Sequence, residues 1–267
     1  MTVTIHDEGR ARVVTIDRPL QRNAVDPATA RALFEAFTAF DGDTGVDVAI
    51  LAGAGGTFCA GFDLKAAAGG AARDWIARVD IPDDWNDAMA RPLPGPMGPS
   101  RLMLSKPVIA AVEGHAVAGG LELAAWCDMR VAASDAVFGV FCRRWGVPLI
   151  DGGTVRLPRI VGQGRANDMI LTGRGVPGDE AQAIGLADRL ADPGTVLRAA
   201  LELAHELSRF PQACMRADHL SARLSPRELA AALRREWASL RTFEQEGLQG
   251  AARFAGGAGR GGRFDSI

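Results

Sequence analysis

Lysine is nearly missing from this chain of 267 residues: Lys65 and Lys106 are the only two among 30 basic residues, and there is no tyrosine. Almost every cation is therefore arginine, a bias that reads as genome composition rather than function. With 32 acidic residues the formal net charge is −2. That balance argues against a general nucleic-acid binder, whose basic surface would show in it. Cysteine is sparse as well. Cys59, Cys127, Cys142 and Cys214 have neither CxxC spacing nor histidine neighbours, so no metal site is expected and the thiols should be free, most of them buried. The longest apolar run, Val108 to Val112 with its neighbours, falls far short of the ~20 residues that cross a bilayer. The opening stretch MTVTIHDEGRARVVTIDRP holds no apolar segment of signal-peptide length. A cytoplasmic protein with no membrane partner is the expectation. Gly53, Gly55 and Gly56 have the wrong spacing for G-x-G-x-x-G, and no Walker A pattern occurs.

What is present is an ordinary globular composition, 48% hydrophobic and 23% charged, long enough for one large domain. Thr2 to Ile5 and Val13 to Ile16 alternate around HDEGRA and predict a β-hairpin. Asp26-Pro27 supplies a cap and a first-turn proline for a helix to about Phe40, with Ala30, Leu33, Phe34 and Phe37 at helical spacing. Strands are predicted at Val46–Ala52, Val108–Glu113, Met129–Ala132, Ala136–Gly139 and Ala187–Leu190. Helices are predicted from Leu121, from Asp151, at Gly164–Thr172, at Gly178–Ala183, and over most of 194–247. Strands alternating with helices give an α/β fold with a partly parallel sheet. The helical C-terminal part cannot bury both faces alone, so it should pack on another subunit or back on the core. Residues 66–100, Ala/Gly-rich and then proline-rich, read as a lid or binding loop around one helix near Arg73–Val79.

Two loops carry the chemistry. In Phe58-Cys-Ala-Gly-Phe-Asp-Leu-Lys65, Gly61 permits a backbone conformation closed to side chains, so the N–H of Phe62 can face a cleft. In Glu113-Gly-His-Ala-Val-Ala-Gly-Gly-Leu-Glu122, a strand runs into two glycines at a helix start, where free N–H groups and the positive helix end converge. An oxygen anion between these loops would be stabilised.

FCAGFDLK, KPVIAAVEGHAVAGGLELAAWCDMRVAASDAVFG, GGTVRLPRIVG and ILTGRGVPGDEAQAIGLADRL resemble the enoyl-CoA hydratase/isomerase (crotonase) superfamily in order and spacing, well over residues 10 to 190 and loosely beyond. The resemblance implies a crotonase-like (ββα) spiral core over residues 1–195 with the CoA site, and a C-terminal helical trimerisation or lid region over 196–267. It implies an acyl-CoA processing enzyme, a lyase or isomerase of the hydratase/isomerase type, working as a homotrimer or a hexamer. Coenzyme A would enter as part of the substrate, with no separate cofactor. Phe62 and Gly119 would form the oxyanion hole. Arg22, Ala24, Ala60, Phe62, Asp63, Leu64, Lys65 and Gly119 would line the substrate and CoA site. Glu122 would be the first of the two glutamates that family hydratases use.

The second glutamate belongs to an FGxPE segment, and here the chain reads Phe138-Gly-Val-Phe-Cys142. A thiol is a poor substitute for a carboxylate at neutral pH. Cys142 is then either a small buried filler or a nucleophile or acid. Asp151 is either an N-cap or, as in family isomerases and dehalogenases with an aspartate near this point, the partner of Glu122 in an acid/base pair. His115 reads as a packed residue. Arg143, Arg144 and Trp145 would border the acyl pocket or face a neighbouring subunit. Glu113 and Asp128 read as structural. The alternative function is a non-catalytic acyl-CoA binding protein of the same fold.

Overall fold

The computed structural model describes residues 2–68, 71–242 and 246–259. Its core is a six-stranded sheet built from Val3–Glu8 (β1), Ala11–Ile16 (β2), Val48–Gly53 (β3), Val108–Val112 (β4), Met129–Ala133 (β6) and Arg189–Ala191 (β9). The spatial order is β1-β2-β3-β4-β6-β9. Only the β1–β2 hairpin is antiparallel; the other pairs are parallel. The central strands VAILAG and VIAAV are buried almost throughout, as a sheet covered on both faces requires, whereas the edge strand β1 keeps only Val3 inside.

A smaller sheet joins His115–Val117 (β5), Val137–Gly139 (β7) and Gly175–Pro177 (β8), with β5–β7 parallel and β7–β8 antiparallel. β5 and β8 were not foreseen from the residue pattern. Three residues are too few to establish alternation, and their pairing is decided by tertiary contacts.

The helix Pro27–Gly42 starts as expected: the Asp26 carboxylate accepts from Thr29 N–H, and proline occupies the first turn. It buries Leu33, Phe37 and Phe40, each contributing about 1.5–3 kcal/mol of transfer free energy. Phe37 meets Trp126 edge-to-face with centroids 4.8 Å apart. The C-terminal part folds back onto the core of its own chain, in helices Val196–Ser208, Gln212–Ala222, Pro226–Trp237 and Leu248–Ala255. Ser225 and Glu228 form a reciprocal capping box at the start of the third. Among the described residues no helix is long and apolar enough to cross a membrane. The glycines of the tail Gly256–Gly262 predict irregular structure; residues 256–259 form turns, and the rest lies outside the described residues.

The described residues 71–100 are pinned rather than loose. Trp75 donates its indole N–H to Pro96 O (3.0 Å), and Trp85 donates to Arg91 O (2.7 Å). Gly95 and Gly98 exchange two backbone hydrogen bonds, which close a tight turn around Pro96-Met97.

Candidate active site

The two glycine turns lie side by side because β5 sews them together. Phe58 N–H donates to Glu113 O, Cys59 N–H to His115 O, and Val117 N–H to Cys59 O, at 2.8, 2.9 and 3.1 Å. Gly61 then turns the chain with φ +95°. A Cβ there would lie 2.9 Å from both Gly119 N and the Ala118 Cβ, so the close approach demands glycine. Val25 N–H donates to Gly61 O and Asp63 N–H to Val25 O, and this parallel bridge leaves the Phe62 N–H between them facing the other way. On the second turn Ala118 is held at φ +53°, ψ −126°, a region that costs about 1–3 kcal/mol for a side-chain-bearing residue. Its N–H is anchored to Gly139 O (2.8 Å) on β7, and the strain opens helix Gly119–Trp126 with an unbonded first amide. Neither Phe62 N–H nor Gly119 N–H has a hydrogen-bond partner among the described residues.

From these amides a short chain of contacts leads to the acids. The Met97 Sδ lies 2.7 Å from where a Gly119 Cβ would be. Met97 N–H donates to Asp151 Oδ1 (2.9 Å), which also accepts from the Ser100 hydroxyl. Asp151 N–H donates to Glu122 Oε1 (2.8 Å), and Gly153 N–H donates to the same oxygen (2.9 Å). Glu122 Oε2 and Asp151 Oδ2 accept no hydrogen bond among the described residues. Asp151 is therefore not the expected N-cap. Gly152 holds that position, because the aspartate side chain turns back to the 95–100 turn.

A third buried carboxylate, unforeseen from the sequence, lies behind this pair. Glu236 on helix Pro226–Trp237 accepts from Gly152 N–H (2.6 Å), Thr154 N–H (2.8 Å) and the Thr154 hydroxyl (2.7 Å). Its nearest sequence signal, the polar run in Ala-Leu-Arg-Arg-Glu-Trp237, reads as a solvated helix face. Two guanidinium groups balance the cluster. Buried Arg101 donates to Val79 O and Pro94 O and stacks over Trp237, 4.3 Å from the ring centroid. Partly buried Arg156 donates to Asp151 O (3.0 Å) and Ser100 O (2.7 Å).

Three carboxyls here face two cations. Burial raises all three acids above their ordinary values. For Glu122 the lift is largest, because burial is joined by repulsion from Asp151 and then Glu236, outweighing the two amides that favour its anion. Burial pulls Arg101 down to about 10, still a cation at neutral pH. Cys142, on the 3₁₀ turn Phe141–Trp145, is buried, and burial followed by the charge of Glu122 pushes its thiol up to about 12. Such a thiol is neutral and unreactive at pH 7.

The other sequence-based expectations divide. Ala60 N–H donates to Arg22 O (3.0 Å), joining the two segments expected to line the CoA site. Ala24 is part-buried beside them, and exposed Arg22 is left-handed at φ +51°. The Asp63 carboxylate is occupied: it caps the helix Leu64–Ala68 through Lys65 and Ala66 N–H and pairs with Arg18 at 3.1 Å, so what it offers a ligand is backbone. Lys65 is exposed. Phe62 and Leu64 pack on Ala251 of helix Leu248–Ala255, whose Phe254 meets Trp145 edge-to-face at 5.2 Å, so this helix covers the Phe62–Leu64 segment. His115 is exposed rather than packed. Arg143 and Arg144 turn away to Ile170 O and Gly173 O, both 3.1 Å, at the end of helix Gln163–Thr172. Glu113 accepts from Gly194 and Val196 N–H, and Asp128 from Val108 N–H, both structural as expected.

Residues 8–255 match the family model described as enoyl-CoA hydratase/isomerase. The chain belongs to the enoyl-CoA hydratase/isomerase family. Among its relatives, an enoyl-CoA hydratase of Mycobacterium tuberculosis is 37% identical over 211 residues, covering 76% of this chain and 73% of the relative. A carnitinyl-CoA dehydratase of Salmonella arizonae is 40% identical over 199 residues, 73% of this chain and 69% of the relative. The crystal structure of a carnitinyl-CoA hydratase from Mycobacterium avium superposes with TM-score 0.79 at 28% identity, over 96% of this chain and 95% of that one. That of an enoyl-CoA hydratase from M. tuberculosis gives 0.70 at 35%, over 96% of each. The enoyl-CoA hydratase/isomerase fold, with its spiral α/β core and C-terminal helices, is thus shared over nearly the whole chain.

Proposed function

We propose that this member of the family is a lyase or isomerase that acts on an acyl-CoA thioester through its enolate. The observation that carries the reading is a pair of unpaired amides, Phe62 and Gly119, connected through Met97 to two buried carboxyls that each keep one oxygen unbonded. The thioester oxygen would sit between the amides. As negative charge develops on it, both N–H bonds strengthen, and each such donor typically contributes about 3–4 kcal/mol to the transition state. The α-carbon would face the free Oε2 of Glu122. In its acid form that carboxyl delivers a proton to the enolate; as the anion it removes one. Asp151, through Oδ2, is the second acid/base group, orienting water during hydration or dehydration, or receiving the proton during a double-bond shift.

The names of the relatives, hydratases and dehydratases of CoA esters, favour the water-adding and water-removing directions. Cys142 takes no part, since a neutral buried thiol can neither hold an ionised nucleophile nor accept a proton from water. CoA would run along Arg22, Ala24, Ala60, Asp63, Leu64 and Lys65, with Lys65 placed for a phosphate. We take the division at residue 195 and assembly as a homotrimer or a dimer of trimers to follow the family resemblance, which sedimentation equilibrium would check.

The test is a panel of 2-enoyl-, 3-enoyl- and 3-hydroxyacyl-CoA esters, followed by loss or gain of the conjugated thioester absorbance. At least one ester should turn over, and Glu122→Gln should abolish that turnover. Binding across the panel with no product from any ester would replace this reading with a non-catalytic acyl-CoA binder. Full hydratase-level turnover of crotonyl-CoA that survives Asp151→Asn would remove Asp151 from the mechanism.

A further inference from the structure

The four consecutive amides from Asp151 to Thr154 are shared between two carboxylates from opposite sides. Asp151 and Gly153 point to Glu122, and Gly152 and Thr154 point to Glu236. Alternation of this kind fixes the turn as a strip held at both edges. Rotating one amide away from its acceptor would swing its neighbour off the other. Both Glu236 oxygens are engaged by the protein itself, with three donors in all. It arrives from helix Pro226–Trp237, the element that also stacks Trp237 on Arg101.

We propose that Glu236 is a positioning residue. By holding the amides of Gly152 and Thr154 from behind, it aims those of Asp151 and Gly153 at Glu122, and it keeps a negative charge close to that carboxyl. This rests on the reading of Glu122 as the principal acid/base group. The remaining charged or titratable groups near Glu122 are Asp151 and Arg156 on the same turn and helix, Cys142 on the 141–145 turn, and Arg101 beyond Asp151. The two parts of the role have opposite electrostatic signs. The charge of Glu236 raises the Glu122 pKa, while the two amides it aims lower it.

Two variants separate them. Glu236→Gln removes the charge and keeps the length, with the remaining oxygen able to hold Thr154 while the NH₂ can no longer accept from Gly152 N–H. Glu236→Asp keeps the charge and withdraws it by one methylene, slackening the strip. The readout is the infrared carbonyl stretch of protonated Glu122, identified as the band that Glu122→Gln deletes and titrated by pH in the full-length protein. Relative to wild type, Glu236→Gln should move the midpoint down by about one pH unit, and Glu236→Asp, which keeps the charge, should move it by much less. With crotonyl-CoA or whichever panel ester turns over, both variants should lower kcat about tenfold with KM changed less than about threefold, because Glu236 lies away from the CoA segments.

Circular dichroism establishes which variants fold, and either folded variant carries the test. An unmoved midpoint in Glu236→Gln, or an equal shift in both variants, would overturn the proposal, as would unchanged kcat in both variants. A wild-type protein inert toward every ester would instead defeat the proposed function, while the titration would still decide the role of Glu236.

Discussion

Glu122 and Glu236 are both buried glutamates, both bonded to the turn 151–154, and yet they differ in one respect. Glu236 has each oxygen filled by donors of its own protein, three in all. Glu122 takes two amides on Oε1 and leaves Oε2 without a partner. A buried carboxylate with both oxygens bonded to one turn of its own protein acts as a clamp on that turn. One held by a single oxygen, with the other unbonded and its pKa pushed up, is the group to which the proposed function gives proton transfer.

The comparison can be broken first at Glu122. Glu122→Gln keeps the acceptor for Asp151 and Gly153 and puts an amide where Oε2 was. Turnover should fall by at least about 10²–10⁴-fold, measured as kcat/KM. Stability should move the other way. The folded pKa of Glu122 is raised, so between the ordinary carboxylate pKa and the folded one the native state binds more protons than the unfolded chain, and stability is lost as pH rises through that window. Below it, both states carry the proton and the cost vanishes. The melting temperature of Glu122→Gln should therefore match wild type near pH 4 and exceed it increasingly toward neutral pH, by about 2–4 °C for each kcal/mol relieved. An equal gap at all pH values would mean that Glu122 is not a strained acid.

The second largest effect falls on the amides. A methyl at Gly61 meets the Gly119 amide and the Ala118 side chain 2.9 Å away, in a backbone conformation closed to alanine. Gly61→Ala should lower kcat by about 10²–10³-fold by pushing the two turns apart. Unaltered steady-state rates would show that the paired amides are not the oxyanion site. The smallest effect is expected at Cys142, buried on the turn Phe141–Trp145. Cys142→Ala should leave kcat within about twofold and cost about 1 kcal/mol of stability from a small cavity, read by urea denaturation. A hundredfold loss would return the thiol to the mechanism.

How far the sequence carries depends on the range over which each feature is determined. The Gly61 turn, the Gly119-Gly120 helix start and Glu122 are local. Each is a short motif whose residue types already imply a backbone shape, so the turn at Gly61 and the helix start at Gly119 could be anticipated residue by residue. The helix from Asp26-Pro27 was legible for the same reason. Asp151 was ambiguous because capping and pointing into a site begin from the same residue; only the fold reveals that the 95–100 turn claims its side chain. Glu236 was invisible. Its partners lie 84 and 82 residues away, and in its own helix it occupies one more polar position beside two arginines. The exposure of His115 and the outward turn of Arg143 and Arg144 were likewise decided by neighbours distant in sequence.

The most direct measurement is exchange of the α-protons of butyryl-CoA and 3-hydroxybutyryl-CoA into D₂O, followed by proton NMR with enzyme present. It requires only that the thioester be polarised by Phe62 and Gly119 and that a base reach the α-carbon, whatever acyl group the enzyme prefers. The account predicts exchange with wild-type protein and none above background with Glu122→Gln. Exchange that persists in the variant, or that the wild type fails to catalyse while binding the ester, would contradict it.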